Sequence, residues 1–329
     1  MIAIFTLAED LHALEVRKSL QRLGHNAVHI IESDRISASS CLSCSLGWGA
    51  DPPFDAYVTS SSGLRIRVSD IAVIWLRRPR GIQTSTITEN SKELEFINNE
   101  CRGGMTSLLS ACSFRGRWVS EPEATTRASD KLHQLNVASK CGFRIPKTLM
   151  TQSKEEVISF YEMCGRKVVV KPLIGVSSPF LLTRKLENPE SIPELAYSAC
   201  PAIYQELIEG TDHIRLNCFG RTQIAALIRS NELDWRPNLN VPISALEVPE
   251  DIRGRTQKVL NALGLEMGII DLKIDLGGNI VWFEVNPQGQ FLFLEPFINA
   301  ALSDHFARFL IDCKNSVPPE VFTCSIQDG

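Results

Sequence analysis

Gly268-Ile269-Ile270-Asp271-Leu272-Lys273-Ile274-Asp275-Leu276-Gly277-Gly278-Asn279-Ile280-Val281-Trp282-Phe283-Glu284-Val285-Asn286-Pro287 is the stretch on which the fold turns. Gly277-Gly278 is a strong two-residue hairpin signal between two runs rich in branched and aromatic residues. With that pair as the loop, Leu276 faces Asn279 and the ladder sets Asp271 opposite Glu284. Side chains alternate between the two faces of a strand. One face then carries Ile270, Leu272, Ile274, Val281, Phe283 and Val285, which is a core face. The other carries Asp271, Lys273, Trp282, Glu284 and Asn286. Two carboxylates directly opposite each other have Cβ atoms ~5 Å apart, where like charges destabilise. A divalent cation between them removes that cost. Asn286, two residues on along the same face, adds a neutral oxygen. Three oxygen ligands with room for water and phosphate describe a magnesium site. A solvated polar face behind a core face would give the same alternation, and the hairpin alone does not decide between the two.

Working outward, residues 250–263 precede the hairpin with Ile252, Val259, Leu260 and Leu263 at helical spacing. Segments 203–208, 214–219 and 223–229 read as strands, and so does the β-branched run 167–172. Ser129 is a candidate cap for a helix from Asp130 to about Lys140, which Gly142 and Pro146 end. Glu121-Pro122-Glu123 marks a plausible boundary. Before it, Ile2 to Phe5 is a short buried-strand run, and Leu11, Leu14, Val16, Leu20 and Leu23 predict a helix stopped by Gly24. Ala27 to Ile31 and Ile71 to Leu76 are further strands, and a helix occupies much of 91–112. Residues 32–64, rich in Ser, Gly and Pro, predict loops with short strands. The class is α/β.

Composition narrows the options. With 329 residues the chain has room for two or three structural units and a large core. A net charge of -4 gives no global pull toward nucleic acid or an anionic membrane, so neither is expected as a partner. The N-terminus has no signal-peptide pattern, and no run approaches the roughly 20 apolar residues of a membrane span. A cytoplasmic protein is the expectation. Of ten cysteines, Cys41 and Cys44 form a C-x-x-C pair, but no second pair completes a zinc site. Reduced loop cysteines are the simpler reading.

A resemblance now enters. Glu284-Val285-Asn286-Pro287-Gln288-Gly289-Gln290 resembles the closing motif of the ATP-grasp ligases, and its Gly-Gln ending is similar to the graspetide branch, the microviridin-type peptide ligases. Other segments match in order: Asp130-Lys131 with Gln134-Leu135 and Gly142 to Thr148, Val170-Lys171-Pro172-Leu173, Gln205-Glu206-Leu207-Ile208, Asp234-Trp235-Arg236, and Trp75-Leu76-Arg77-Arg78-Pro79. The resemblance implies an ATP-grasp fold: an N-terminal domain over 1–122, a small subdomain over 123–203, a large subdomain over 204–315 and a tail over 316–329. The tail is expected to be loosely held.

It also implies site roles. Lys131 and Lys171 would clamp the phosphates of ATP, a sensible pair against several negative charges. A lysine inside an apolar strand, as Lys171 is, needs a partner. Ser177 and Ser178 would cover the phosphates. Glu206, Leu207 and Ile208 would meet adenine, and Asp212 or His213 the ribose. The family often reads Asp-Ile-Arg where this chain has Asp212-His213-Ile214-Arg215, so that choice stays open. Arg215, Arg236 and Asn238 would hold phosphoryl and acyl groups. Asp271, Glu284 and Asn286 would hold magnesium, two ions in all. The implied reaction activates a carboxylate as an acyl phosphate, which a hydroxyl or amine then displaces. The implied partner is an acidic precursor peptide with a leader segment, and Arg77, Arg78 and Arg80 would suit its carboxylates unless they pair internally. A homodimer is a further implication. His305-Phe306-Ala307-Arg308-Phe309-Leu310 resembles a leader-peptide motif, but an amphipathic helix explains it more simply. Two other functions remain open: a ligase for free amino acids or protein termini, and a nucleotide-binding module without chemistry.

Overall fold

The computed structural model describes residues 1–33, 42–46, 54–77, 88–112, 116–174 and 183–316. Ser177, Ser178, Arg78, Arg80 and Cys41 lie outside the described residues, as does the expected loose tail beyond Ser316. The chain divides into two units. One is Met1–Glu123 together with the segment beginning at Ala301, and the other is Ala124–Ala300.

In the first unit, β1 (Ile2–Thr6), α1 (Leu11–Arg22) and β2 (Val28–Glu32) follow as the hydrophobic runs predict. Next come β3 (Leu42–Leu46), β4 (Phe54–Thr59) and β5 (Arg65–Arg67), which form an antiparallel sheet in the region expected to be loops with short strands. Strand β6 (Val73–Leu76), helix α2 (Ser91–Cys112) and strand β7 (Arg117–Val119) complete the N-terminal part. Strands β2, β1, β6 and β7 lie in that order, all parallel. Every residue of β1 and β6 is buried, as a parallel sheet covered on both faces requires. Asp10 caps α1, its carboxylate accepting from the amides of His12 and Ala13.

The second unit holds two antiparallel sheets. Its helices are α3 (Pro122–Ala128), α4 (Lys131–Lys140), α5 (Lys154–Met163), α6 (Glu194–Ser198), α7 (Glu250–Leu263) and α8 (Glu295–Ile298). Strands β8 (Thr148–Thr151), β9 (Val168–Lys171), β10 (Arg184–Lys185) and β11 (Ala202–Glu206) pair in the order β10-β9-β11-β8. Strands β12 (Asp212–Phe219), β13 (Thr222–Arg229), β14 (Ile243–Leu246), β15 (Met267–Ile274) and β16 (Ile280–Asn286) pair in the order β14-β13-β12-β15-β16. Val157, Phe160, Val168, Tyr197 and Tyr204 form the core of the smaller sheet. Ile214, Leu216, Ile252, Leu260, Ile270, Leu272 and Val285 are in the core of the larger one.

Three local differences from the sequence reading matter. Asp130, not Ser129, caps α4 by accepting from the His133 amide at 2.8 Å. A carboxylate at the cap also complements the positive end of the helix, whereas the Ser129 hydroxyl turns back to the Thr125 carbonyl. Leu135, Ala138 and Phe143 join the core of the five-stranded sheet, so the stretch expected to open the small subdomain packs on the large one. The last helix, α9 (Leu302–Asn315), was expected in the large subdomain. It instead packs on α1 in the first unit, with Trp75 and Phe306 edge to face at 4.6 Å and Arg22 paired with Asp304 at 2.8 Å.

Candidate active site

The hairpin of β15 and β16 sets Asp271 directly opposite Glu284, as its sequence suggests, but by a different route. The loop has three residues, Leu276-Gly277-Gly278: the Asp275 amide donates to the Asn279 carbonyl at 3.0 Å, and Gly278 has φ +80°. That shifts the register by one. Leu272 accordingly faces Trp282, and Phe283 is an extra residue that restores the expected pairing at Asp271 and Glu284. Downstream of the bulge the faces match the expectation. Across it they swap: Trp282 is fully buried in the core, 5.1 Å from the Phe143 ring, and Phe283 lines a cavity. The expectation of Phe283 inside and Trp282 outside is thereby corrected.

Among the described residues, that cavity is lined by the second unit alone. Lys131, Lys171, Gln205 to Ile208, His213, Asp234 to Arg236, Asp271, Lys273 and Glu284 all contribute to its wall. Lys131, in the first turn of α4, donates to the Pro172 carbonyl at 2.8 Å. Lys171, at the end of β9, donates to Gln205 Oε1 at 2.9 Å. Burial lowers the pKa of both ammoniums, Lys171 to about 8; Glu284 opposes the shift, while Arg236 adds to it. Arg215 donates to both oxygens of Asp271, at 2.7 and 2.9 Å, and to the Gln290 carbonyl at 3.0 Å; among the described residues its buried Nε has no partner. Arg236 grips Asp234 with two nitrogens, at 2.7 and 2.6 Å, and reaches Glu284 at 3.6 Å. The hydrogen bonds that Arg236 donates to Asp234 raise its pKa above the ordinary guanidinium value.

The linker Glu206–Ile208 runs along the same wall. The Glu206 amide donates to the Lys147 carbonyl and the Leu207 amide to the Lys167 carbonyl, each at 2.9 Å. Of the two residues implied for the ribose, His213 lines the cavity, while Asp212, on the opposite face of β12, pairs with Arg229 at 3.4 Å. Burial lowers the His213 pKa to about 4, helped by Lys273 and opposed by Asp234, Asp212 and the Ser230 backbone.

Other expected residues fall outside this cluster. Asn286 is exposed, two residues from Glu284, with Oδ1 accepting from the Gln288 amide at 3.0 Å. Asn238 is not in the cavity wall; its Oδ1 caps the Asn240 amide at 3.0 Å. Arg77 is a correction: it is 1% exposed, and its Nε donates to Asp10 at 2.9 Å. Its charge is spent inside the first unit, so it offers nothing to a peptide. Burial works against the Asp10 carboxylate, yet Arg77, the Thr6 hydroxyl and the two capped amides outweigh it and hold the pKa below the usual range.

Two supports were not foreseen. Gln134 accepts from the Val285 amide and donates to the Val285 carbonyl, both at 2.9 Å, so its side chain pairs with β16 between Glu284 and Asn286. At Gly289 an added Cβ would lie 2.6 Å from Ile269 Cβ, so only glycine lets the closing motif lie against β15.

No protein-family model matches the chain. Among solved structures, the macrocyclase MdnC bound with precursor peptide MdnA from Microcystis aeruginosa superposes with a TM-score of 0.83 at 22% identity, covering 94% of this chain and 99% of that one. A Chryseobacterium gregarium RiPP-associated ATP-grasp ligase, in complex with ADP and a leader and core peptide, gives 0.83 at 24% identity over 94% and 96%. The ATP-grasp ligase PsnB, with minimal precursor, Mg and ADP, gives 0.75 at 23% over 95% and 97%. In sequence, the alpha-aminoadipate–LysW ligase LysX of Sulfurisphaera tokodaii is 24% identical over 156 residues, 44% of this chain. The match spans about half of that relative, 54% of its length. The fold of this chain is the ATP-grasp fold.

Proposed function

We propose that the chain is an ATP-dependent ligase that activates a carboxylate and joins it to a hydroxyl or amine. One observation carries the reading: two lysines from different elements, an opposed carboxylate pair and Arg236 converge on one cavity, with Arg215 bound to the Asp271 carboxylate in its wall. Lys131 and Lys171 supply cations for phosphate oxygens, and Arg215 and Arg236 supply planar forks suited to phosphoryl or carboxylate groups. A base against the linker would meet the backbone at Glu206 and Ile208. Leu207 and Ile208 supply the apolar wall.

The residues also fit magnesium. Asp271 and Glu284 face each other, and Asn286 stands two residues beyond Glu284 on the same strand; all three offer oxygen donors, which suit a hard cation. In the structure their charge is balanced by arginines instead. When bound, the metal would neutralise phosphate charge; two ions are part of this reading. The chain's own part is to hold the acceptor carboxylate and the transferring phosphoryl group in line, and to stabilise the charge that develops between them.

The substrate in this reading is a ribosomal precursor peptide with a leader and an acidic core, closed side chain to side chain. Likeness to peptide-bound ligases supports it, as does Asp234-Trp235-Arg236, which delivers Arg236 to the cavity. The sequence relative named for joining α-aminoadipate to LysW favours a second reading, addition of an amino acid to a protein. A homodimer belongs to the first reading on resemblance alone, and light scattering tests it. Mass spectrometry of a candidate precursor with ATP and magnesium separates the chemistries. Loss of one water per ring is expected, and its absence in Glu284→Gln, a variant that should still fold. A mass gain matching an added amino acid would establish the second reading. Nucleotide binding with no product from either substrate class would leave only a binding module.

A further inference from the structure

The linker Glu206–Ile208 has a second side. The three residues that line the cavity also line a smaller hollow behind it, together with Arg144, Lys167, Glu209 and Asp275. Alternation along β11 sends neighbouring side chains to opposite faces. Gln205 faces forward, where its Oε1 accepts from Lys171 at 2.9 Å. Glu206 turns its carboxylate backward. There Oε2 accepts from the Lys147 amide at 3.1 Å, and Oε1 stands 3.8 Å from Arg144, at ion-pair distance. The side chain of Glu206 is thus held from behind, and a base seated in the cavity would meet its backbone.

Arg144 stands where three pieces of the site meet. It lies in the segment between α4 and β8. Its carbonyl accepts from the Trp282 amide at 2.9 Å, which fastens that segment to β16 of the larger sheet. Three residues on, the Lys147 carbonyl accepts from the Glu206 amide at 2.9 Å, at the end of β11 in the smaller sheet. The Arg144 guanidinium joins the two: one nitrogen donates to Asp275, and another faces Glu206. Asp275 is itself fixed, accepting from the Gly277 and Asn279 amides at 2.9 and 2.8 Å in the loop of the hairpin that carries Asp271 and Glu284. One side chain therefore ties the linker to that hairpin. The Arg144 side chain is 44% exposed, and ion pairs this open to solvent add little to stability. Stability of the fold is then a poor account of the arrangement. Binding is a better one, because a linker whose N–H and C=O groups are set in place before a base arrives has less ordering to do when it binds.

We propose that Arg144 is a positioning residue for the nucleotide: through the Glu206 carboxylate it holds the linker in place against the hairpin loop, and it does so without touching the ligand. The inference rests on the nucleotide-site reading above and adds to it a residue that reading does not use.

Calorimetric titration of the full chain with magnesium and ADP tests it. Arg144→Met is expected to bind ADP about fivefold or more weakly, with a melting temperature within about 3 °C of the wild type. Arg166→Met removes an equal charge from the turn before β9, where Arg166 pairs with Glu162 at 3.1 Å, and should bind as the wild type does. Glu206→Gln, close in size and still able to accept from the Lys147 amide, should lose as much affinity as Arg144→Met, and the double variant should be no worse than either single one. Wild-type affinity in Arg144→Met overturns the proposal and leaves the nucleotide site standing. Equal losses in Arg144→Met and Arg166→Met also overturn it, because the effect would then be one of net charge. Additive losses in the double variant overturn it as well, since Arg144 would be acting by a route other than Glu206. Should Arg144→Met fail to fold, Glu206→Gln decides alone: a fivefold loss supports the proposal and unchanged affinity overturns it. If the wild type binds no ADP, the nucleotide site itself falls, and the proposal with it.

Discussion

At the scale of single residues, the sharpest quantity is the Lys171 ammonium. Burial drives its pKa down to about 8, Lys131 and Arg236 push the same way, and Glu284 alone resists. The empty site therefore loses this charge as the pH rises through about 8. A phosphate beside it favours the charged form, so binding above that pH takes up a proton and weakens as pH rises. The effect on stability has the opposite sign: the folded pKa lies below the unfolded 10.5, so the fold gains stability between about 8 and that value. Affinity for ADP with magnesium should be flat below about pH 7 and fall by up to about tenfold per unit above pH 8. Calorimetry in buffers of different ionisation enthalpy should show the proton uptake. Lys171→Met should bind more weakly with a flatter profile, and a wild-type profile flat through pH 9 would remove the phosphate role. Lys171 was legible because a lysine in an apolar strand demands a partner. Arg77 was misread because its partner, Asp10, lies 67 residues away in sequence. An arginine at a strand end looks the same whether it faces solvent or a buried carboxylate.

At the scale of elements, the central hairpin was legible in its outcome but not in its path. Gly277-Gly278 located the turn, and the period of two set Asp271 against Glu284. The three-residue loop and the bulge at Phe283 shift the ladder by one residue each, in opposite senses, so the pairing survives while Trp282 changes face. Nothing in the local sequence marks that bulge. It depends on Trp282 having Phe143 to pack on and the Arg144 carbonyl to accept from its amide at 2.9 Å, both far along the chain. Gln134 is the complementary case: its side chain secures the backbone of Val285 between two residues proposed to hold metal. Gln134→Leu leaves that amide and carbonyl buried without partners, at about 1–3 kcal/mol for each group. A lower melting temperature is expected. So is a magnesium requirement raised about 10- to 100-fold, with the maximal rate largely recovered at saturating metal, as for other supports behind metal ligands. Destabilisation with an unchanged magnesium half-point would mean that Gln134 serves the fold alone.

At the scale of the whole chain, the break near residue 123 could be read from Glu121-Pro122-Glu123, but the place of α9 could not. Its amphipathic pattern says that one face is buried and does not say against what. Phe306 meets Trp75, and Asp304 meets Arg22, contacts more than 200 residues apart in sequence. The site was more legible than this assignment because its chemistry is concentrated in short motifs, each fixed by local strand or helix geometry. The cavity's described lining residues fall between Lys131 and Glu284, within the second unit, which makes the nucleotide reading testable along the full sequence at once. Hydrogen exchange with and without a non-hydrolysable ATP analogue and magnesium should slow at the end of β9, through Gln205–Ile208, at His213–Arg215 and on both strands of the hairpin. Saturation at about 100 times Kd stabilises the bound state by about 2.7 kcal/mol, an approximately hundredfold slowing for amides that open only from that state. Linker amides should respond as strongly as the hairpin, because one ligand would bridge them. Protection confined to the hairpin would indicate metal binding without nucleotide. Protection that bypassed both the linker and the hairpin would show that the nucleotide binds elsewhere.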